Sequence, residues 1–187
     1  MKTNNQQIAS YNVLEFISIR SFTFQLILVL LGIFLPTISH LLGLPVRMLL
    51  PMHWTVILAG LVYGWRGGLL VGLLSPLISY LISGYPKPLI LPSMILELTT
   101  YGILTGLLTE LGKFNKFLCI LIALVLGRLI FILSLITLNS YQGEFLVYLK
   151  EALLPGIFAG VFQIILLPLI ANWWVKKELR YLKNSST

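Results

Sequence analysis

The chain has 187 residues, of which 58% are hydrophobic and only 10% charged, and its mean hydropathy is +0.95. A soluble domain carries about 25% charged residues, so a cytosolic globular fold is excluded. The net charge of +7 does not point to nucleic acid, because the basic residues sit in short loops and tails beside apolar runs, where they fix membrane orientation.

Residues 1–21 are polar or mixed and read as a cytoplasmic lead-in, with a short interfacial helix expected through Ile8, Val13, Leu14, Phe16 and Ile17. The first apolar run is too long for a signal core and has no small-residue cleavage site behind it. A span needs about 20 apolar residues, within a range of about 17–25. On that measure residues 22–175 form one all-α domain of six transmembrane helices. They are Phe22–Leu42, Trp54–Gly64, Gly67–Ser83, Leu89–Leu111, Phe117–Leu138 and Leu153–Val175. The second is short unless Met48–His53 joins it. Pro and Gly clusters or small charged turns separate the spans, and residues 176–187 make a basic cytoplasmic tail.

Orientation follows from the cations. With the N-terminus inside, nine Lys and Arg residues are cytoplasmic, including Lys2, Lys113 and the tail, whereas only Arg47, Lys87 and Lys150 are external. Both termini are therefore expected in the cytoplasm. The loops around Arg47–Trp54, Gly84–Pro88 and Asn139–Glu151 then share the external face, and a pocket roofed by them would open outward.

Small residues recur every four positions through Gly60, Gly64, Gly68 and Gly72, and Ser75, Ser79 and Ser83 continue the series. Such spacing lets helix backbones approach closely. Gly102 with Gly106 reads as internal packing. The face made by Gly68, Gly72, Ser75 and Ser79 reads either as internal packing or as a partner interface. Pro76 is expected to kink its helix.

Polar side chains at membrane depth are costly and usually face a cavity, a charge or a ligand. Glu97 lies about eight residues from the outer end of its span and Arg128 about ten from the outer end of its own, so their depths differ by only about 3 Å. They can pair and hold two helices, or meet a polar ligand. Tyr101 lies one turn from Glu97 on the same helix face. His53 and Trp54 open a span at the outer interface, offering a donor and acceptor beside an aromatic wall. Tyr85 is placed to close from the next loop. Gln163, midway along the last span, suits either a ligand or a helix-to-helix hydrogen bond. His40 reads as interfacial and Cys119 as packed in an apolar run.

No Gly-rich Lys-Ser/Thr phosphate loop is present, nor any Ser/His/Asp set or paired catalytic carboxylates. One cysteine and two histidines build neither a disulfide framework nor a zinc site. No enzyme activity and no cofactor are implied. A pocket without an engine points to a binding subunit driven by something else.

The stretches Leu50–Gly64, Gly67–Ser79, Gly84-Tyr-Pro, Glu97–Gly102, Gly127-Arg and Pro155-Gly-Ile occur in the order seen in one family. Over residues 22–175 the chain resembles the substrate-binding S components of energy-coupling factor (ECF) transporters. The resemblance implies a multi-pass subunit in a bacterial cell membrane that takes a vitamin or similar micronutrient from outside. It further implies docking to a transmembrane coupling subunit with two ATPase subunits, toppling in the lipid, and inward release. By position the family's ligand site falls on His53, Trp54, Tyr85, Glu97 and Arg128. The Ala-xxx-Ala docking motif of several members is missing from Phe22–Leu42, which leaves the Gly/Ser face of the third span as the docking candidate. Rival readings are a non-transport six-span scaffold or assembly subunit, and a small membrane enzyme, against which the sparse carboxylates argue.

Overall fold

The computed structural model describes residues 13–185 apart from 113 and 142. Ile8, Lys2 and Lys113 lie outside the described residues. Every described element is helical: α1 (Ile19–Leu41), α2 (Val46–Leu49), α3 (Pro51–Ser83), α4 (Leu91–Glu110), α5 (Lys116–Thr137) and α6 (Phe145–Ser185). Among the described residues five stretches are long and apolar enough to cross a membrane, namely α1, α2 together with α3, α4, α5 and α6.

The expected second and third spans are one element folded on itself. Within α3 the backbone leaves helical geometry at Gly64, with φ 71° and ψ −170°, a conformation essentially restricted to glycine. Its neighbours show that the chain doubles back there. A Cβ on Gly60, four residues before the break, would lie 2.6 Å from the Gly102 carbonyl oxygen of α4, and a Cβ on Gly68, four residues after it, would fall on the same Gly102. Two positions eight residues apart thus face one turn of α4. Arms 51–63 and 65–83 run antiparallel on that helix. The turn expected at Trp65-Arg66-Gly67 sits one residue earlier, at Gly64, which tolerates a φ that Trp65 and Arg66 would not.

Two contacts finish the turn. The Trp65 N–H donates to the Glu110 Oε2 at 3.4 Å, and the Leu14 N–H donates to the Val62 carbonyl at 2.7 Å. Breaking a helix strands backbone groups that must find partners in an apolar setting, and these bonds supply some. They also explain the lead-in. Residues 13–18 are not helical, so the interfacial helix does not extend to Val13–Ile17. Val13 and Leu14 are instead buried beside the α3 turn.

The Gly/Ser face is internal. A Cβ on Gly72 would lie 2.8 Å from the Leu98 carbonyl oxygen, and one on Gly32 of α1 would lie 2.7 Å from the Ser75 Oγ and 3.0 Å from the Thr55 Oγ1. Ser75 and Ser79 are buried. α4 therefore covers Gly68 and Gly72, α1 meets Ser75, and Ser79 is buried with them, so this face packs inside the described chain. Backbone-to-backbone approach is what glycine permits between membrane helices.

At the chain's end, α6 is longer than its expected span. It begins at Phe145, so the loop after α5 is shorter than expected, and it continues through the basic tail. Leu, Val and Lys around 146–150 are compatible with helix, so the wide separator read there shrinks. The tail is anchored by an ion pair between Arg20 of α1 and Glu178, with the Arg20 guanidinium 3.9 Å from the Tyr181 ring centroid.

Candidate functional site

Three helices bring four polar side chains to one point. α3 begins at Pro51, so His53 stands in its first turn. On α4, Glu97 and Tyr101 are one turn apart. On α5, Gly127 precedes Arg128. The Tyr101 hydroxyl donates to the Glu97 Oε1 at 2.7 Å, and the Arg128 Nη1 lies 2.9 Å from the same oxygen. The His53 Nε2 stands 3.8 Å from it. Glu97, His53 and Tyr101 are all buried, while the Arg128 side chain keeps 22% of its surface exposed.

Glycines shape this contact. A Cβ on Gly127 would meet the Tyr101 ring, with Cδ1 at 2.5 Å, and one on Gly156 of α6 would lie 2.7 Å from the Arg128 Nη2. Gly127 lets the Tyr101 ring lie flat against α5. Gly156 lets the guanidinium slide between α5 and α6. Sequence reading noted both glycines only for their spacing or motif, because the ring and guanidinium they accommodate come from other segments.

The carboxylate is well served and the imidazole is not. Both ring nitrogens of His53 are buried without a hydrogen-bond partner among the described residues, and so are both amide atoms of Gln163. Buried polar atoms are nearly always paired, so each exception asks for a reason. His53 contacts the Tyr101 ring, centroid to centroid 5.3 Å, which fixes its plane and leaves its nitrogens unused.

The other expected site residues lie elsewhere. The Trp54 Nε1 donates to the Leu49 carbonyl at 2.9 Å, stitching α2 to α3. Tyr85 is 54% exposed and packs on His40 at 5.5 Å. Gln163 is buried on α6, and neither of its amide atoms hydrogen-bonds to Glu97 or Arg128. His53, Glu97, Tyr101 and Arg128 converge; Trp54, Tyr85 and Gln163 do not join them.

Beside the cluster lies a cleft of about 130 Å3 lined by Arg47, Ile90, Phe131, Tyr148, Glu151 and Ala152. It adjoins the cluster through Phe131, whose ring centroid is 5.8 Å from the Arg128 guanidinium carbon. Across its mouth the Arg47 Nη1 lies 3.5 Å from the Glu151 Oε2, both side chains well exposed. Opposite charges in two loops assigned to one face were the available signal for this pair. The helical start of α6, which aligns Tyr148 and Glu151, was not.

The family model described as ECF transporter, substrate-specific component, matches residues 8–176. No curated protein and no solved structure matches the chain.

Proposed function

The chain belongs to the substrate-specific components of ECF transporters, and on that premise we propose that it captures a vitamin-like micronutrient from outside the cell. It hands this cargo to a separate transmembrane coupling subunit powered by two ATPase subunits. In this reading the two arms of α3 each count as a crossing, six in all, with both termini in the cytoplasm, as the distribution of Lys and Arg supports. The Arg47–Glu151 end then faces outward, and the membrane is that of a bacterial cell.

The observation that carries the proposal is the buried meeting of His53, Glu97, Tyr101 and Arg128 from three helices. Burying this many polar groups costs more than an apolar contact of the same volume. A pair alone would neutralise Glu97; it would not require an imidazole with two unused nitrogens beside it. Those nitrogens offer one donor and one acceptor to a ligand, next to a guanidinium edge.

Size dictates how the ligand gets in. Small-molecule pockets enclose about 300–1,000 Å3, and the cleft holds about 130 Å3. A vitamin-sized cargo therefore has to part α2 from α6. Part of what it breaks there is an exposed ion pair, worth about 0–1 kcal/mol, and the rest is packing between the two helices. Nanomolar capture corresponds to about 12 kcal/mol, against which the ion pair itself is a small cost.

The test uses the full chain purified from the membrane, with bound small molecules identified by native mass spectrometry. Wild type is expected to carry one small-molecule adduct, and Arg128→Gln and His53→Phe to lose it. Retention of the adduct by both variants would place the ligand elsewhere.

A further inference from the structure

The cytoplasmic end of α6, remote from the cluster just described, carries a second organised feature. Trp173, Lys176, Lys177 and Arg180 stand at i, i+3, i+4 and i+7, so they share one helix face. All four are exposed, and they line a cleft of about 230 Å3. The Lys177 Nζ lies 4.8 Å from the Trp173 ring centroid, a cation–π distance that holds the ammonium beside the indole.

Three observations on this face point to one kind of occupant. First, the exposed side chains of α6 change within two turns from Leu166, Leu169 and Ile170 to Lys176, Lys177 and Arg180, with Trp173 between them. Tryptophan at such a change marks the headgroup level of a bilayer. Second, the acid of this segment is already used. Glu178 points to the opposite face and pairs with Arg20. Among the described residues no carboxylate pairs with Lys176, Lys177 or Arg180. Third, the Arg20 and Tyr181 contacts fix that turn against α1, so the three cations are presented by an anchored helix and not by a loose tail.

We propose that this face binds the phosphate headgroup of an anionic phospholipid, with Trp173 seated at the acyl boundary and Lys176, Lys177 and Arg180 around the phosphate. The chemistry is that of basic side chains placed immediately beside a membrane span. A headgroup, not free phosphate, is the occupant because the cleft opens beside the lipid-facing surface of α6.

The experiment places the full chain in nanodiscs of mixed phosphatidylglycerol and phosphatidylcholine and reads the lipids retained on gentle release by native mass spectrometry. Wild type is expected to retain phosphatidylglycerol in excess of its share of the disc. Lys176→Gln/Lys177→Gln/Arg180→Gln is expected to reduce that enrichment by roughly tenfold or more, and Trp173→Ala alone to reduce it by a smaller factor. A control, Arg66→Gln/Lys87→Gln/Lys150→Gln, removes the same charge elsewhere and is expected to keep the enrichment. Equal loss in the control would reduce the effect to net charge and overturn the site. Abolition by millimolar inorganic phosphate would overturn the lipid assignment in favour of a free anion. Unchanged enrichment in the first triple variant, with loss of capture of the coupling subunit, would make the face a protein contact and overturn the proposal. Thermal melting of each variant checks that folding is retained.

Discussion

Glu97 is held by Tyr101 and Arg128 with His53 standing beside it, and that is what makes its role testable one substitution at a time. Removing one partner of a buried ion pair destabilises by about 3–5 kcal/mol, because the other charge is left uncompensated. Arg128→Ala is therefore expected to lower the melting temperature and abolish ligand retention together, which alone would not separate the two roles. The exchange Glu97→Arg with Arg128→Glu separates them. It is expected to recover most of the lost stability while leaving ligand binding at least tenfold weaker than wild type, measured by thermal melting and by adduct retention. Gly127→Ala makes a third case. It drives a methyl group into the Tyr101 ring, and overpacking of this kind costs about 1–3 kcal/mol, read in the same melt. The Glu97–Arg128 pair was legible in the sequence because equal helix rise converts distance from the span ends into depth. Tyr101 followed from the one-turn spacing. The directions of Trp54 and Tyr85 were not legible, since both stand at loop junctions, where residue number does not fix side-chain direction. The Trp54 indole turns to the Leu49 carbonyl and Tyr85 to His40.

Among the elements, α3 departs most from its reading in the sequence. Glycines at 60, 64, 68 and 72 describe one stripe if the helix is straight and two facing stripes if it folds at 64. Spacing cannot distinguish these, because the choice rests on a backbone angle that only glycine allows and no pattern announces. The fold at Gly64 predicts a cost of about 1–3 kcal/mol for Gly64→Ala from backbone strain alone. Crowding against the Glu110 carboxylate adds to it. Gly43→Ala is the comparison: that glycine also has positive φ but has open space around it, so strain acts there without a clash. Gly64→Ala is expected to melt lower than Gly43→Ala, and equal melting would deny the close packing of the turn on α4. The same folding explains why the Gly/Ser face, read as a possible docking surface, lies against α4 and α1. α6 errs in the other direction. Its loop and tail looked like separators by charge and polarity, yet they continue the helix, because an ion pair with α1 and the contacts of Arg20 stabilise the tail from outside its own sequence.

For the molecule as a whole, hydropathy and charge identified a multi-pass helical membrane protein directly, since few other classes carry so little charge. The number of crossings is a separate matter. Five stretches meet the length and hydropathy needed to span, and the sixth crossing depends on the α3 hairpin, whose first arm rises only about 20 Å against a hydrocarbon core of about 30 Å. The α2 segment precedes that arm and lengthens the apolar stretch to Val46–Ser83. This topology places residues 66 and 87 on opposite sides of the membrane. In a Cys119→Ser background, Lys87→Cys is expected to react with an impermeant maleimide in intact cells, and Arg66→Cys only after permeabilisation. Labelling of both positions in intact cells would remove one crossing and reverse the orientation of part of the chain.

In the proposed binding mode a small molecule is held beside Glu97, Arg128 and His53 after α2 and α6 part. The charge exchange combined with native mass spectrometry of the full chain purified from the membrane tests this most directly. A single small-molecule adduct is expected on wild type and none on the Glu97→Arg/Arg128→Glu protein, although the two are expected to melt within a few degrees of each other. An adduct retained in full by the exchanged protein would contradict it and leave the four polar side chains as a helix staple.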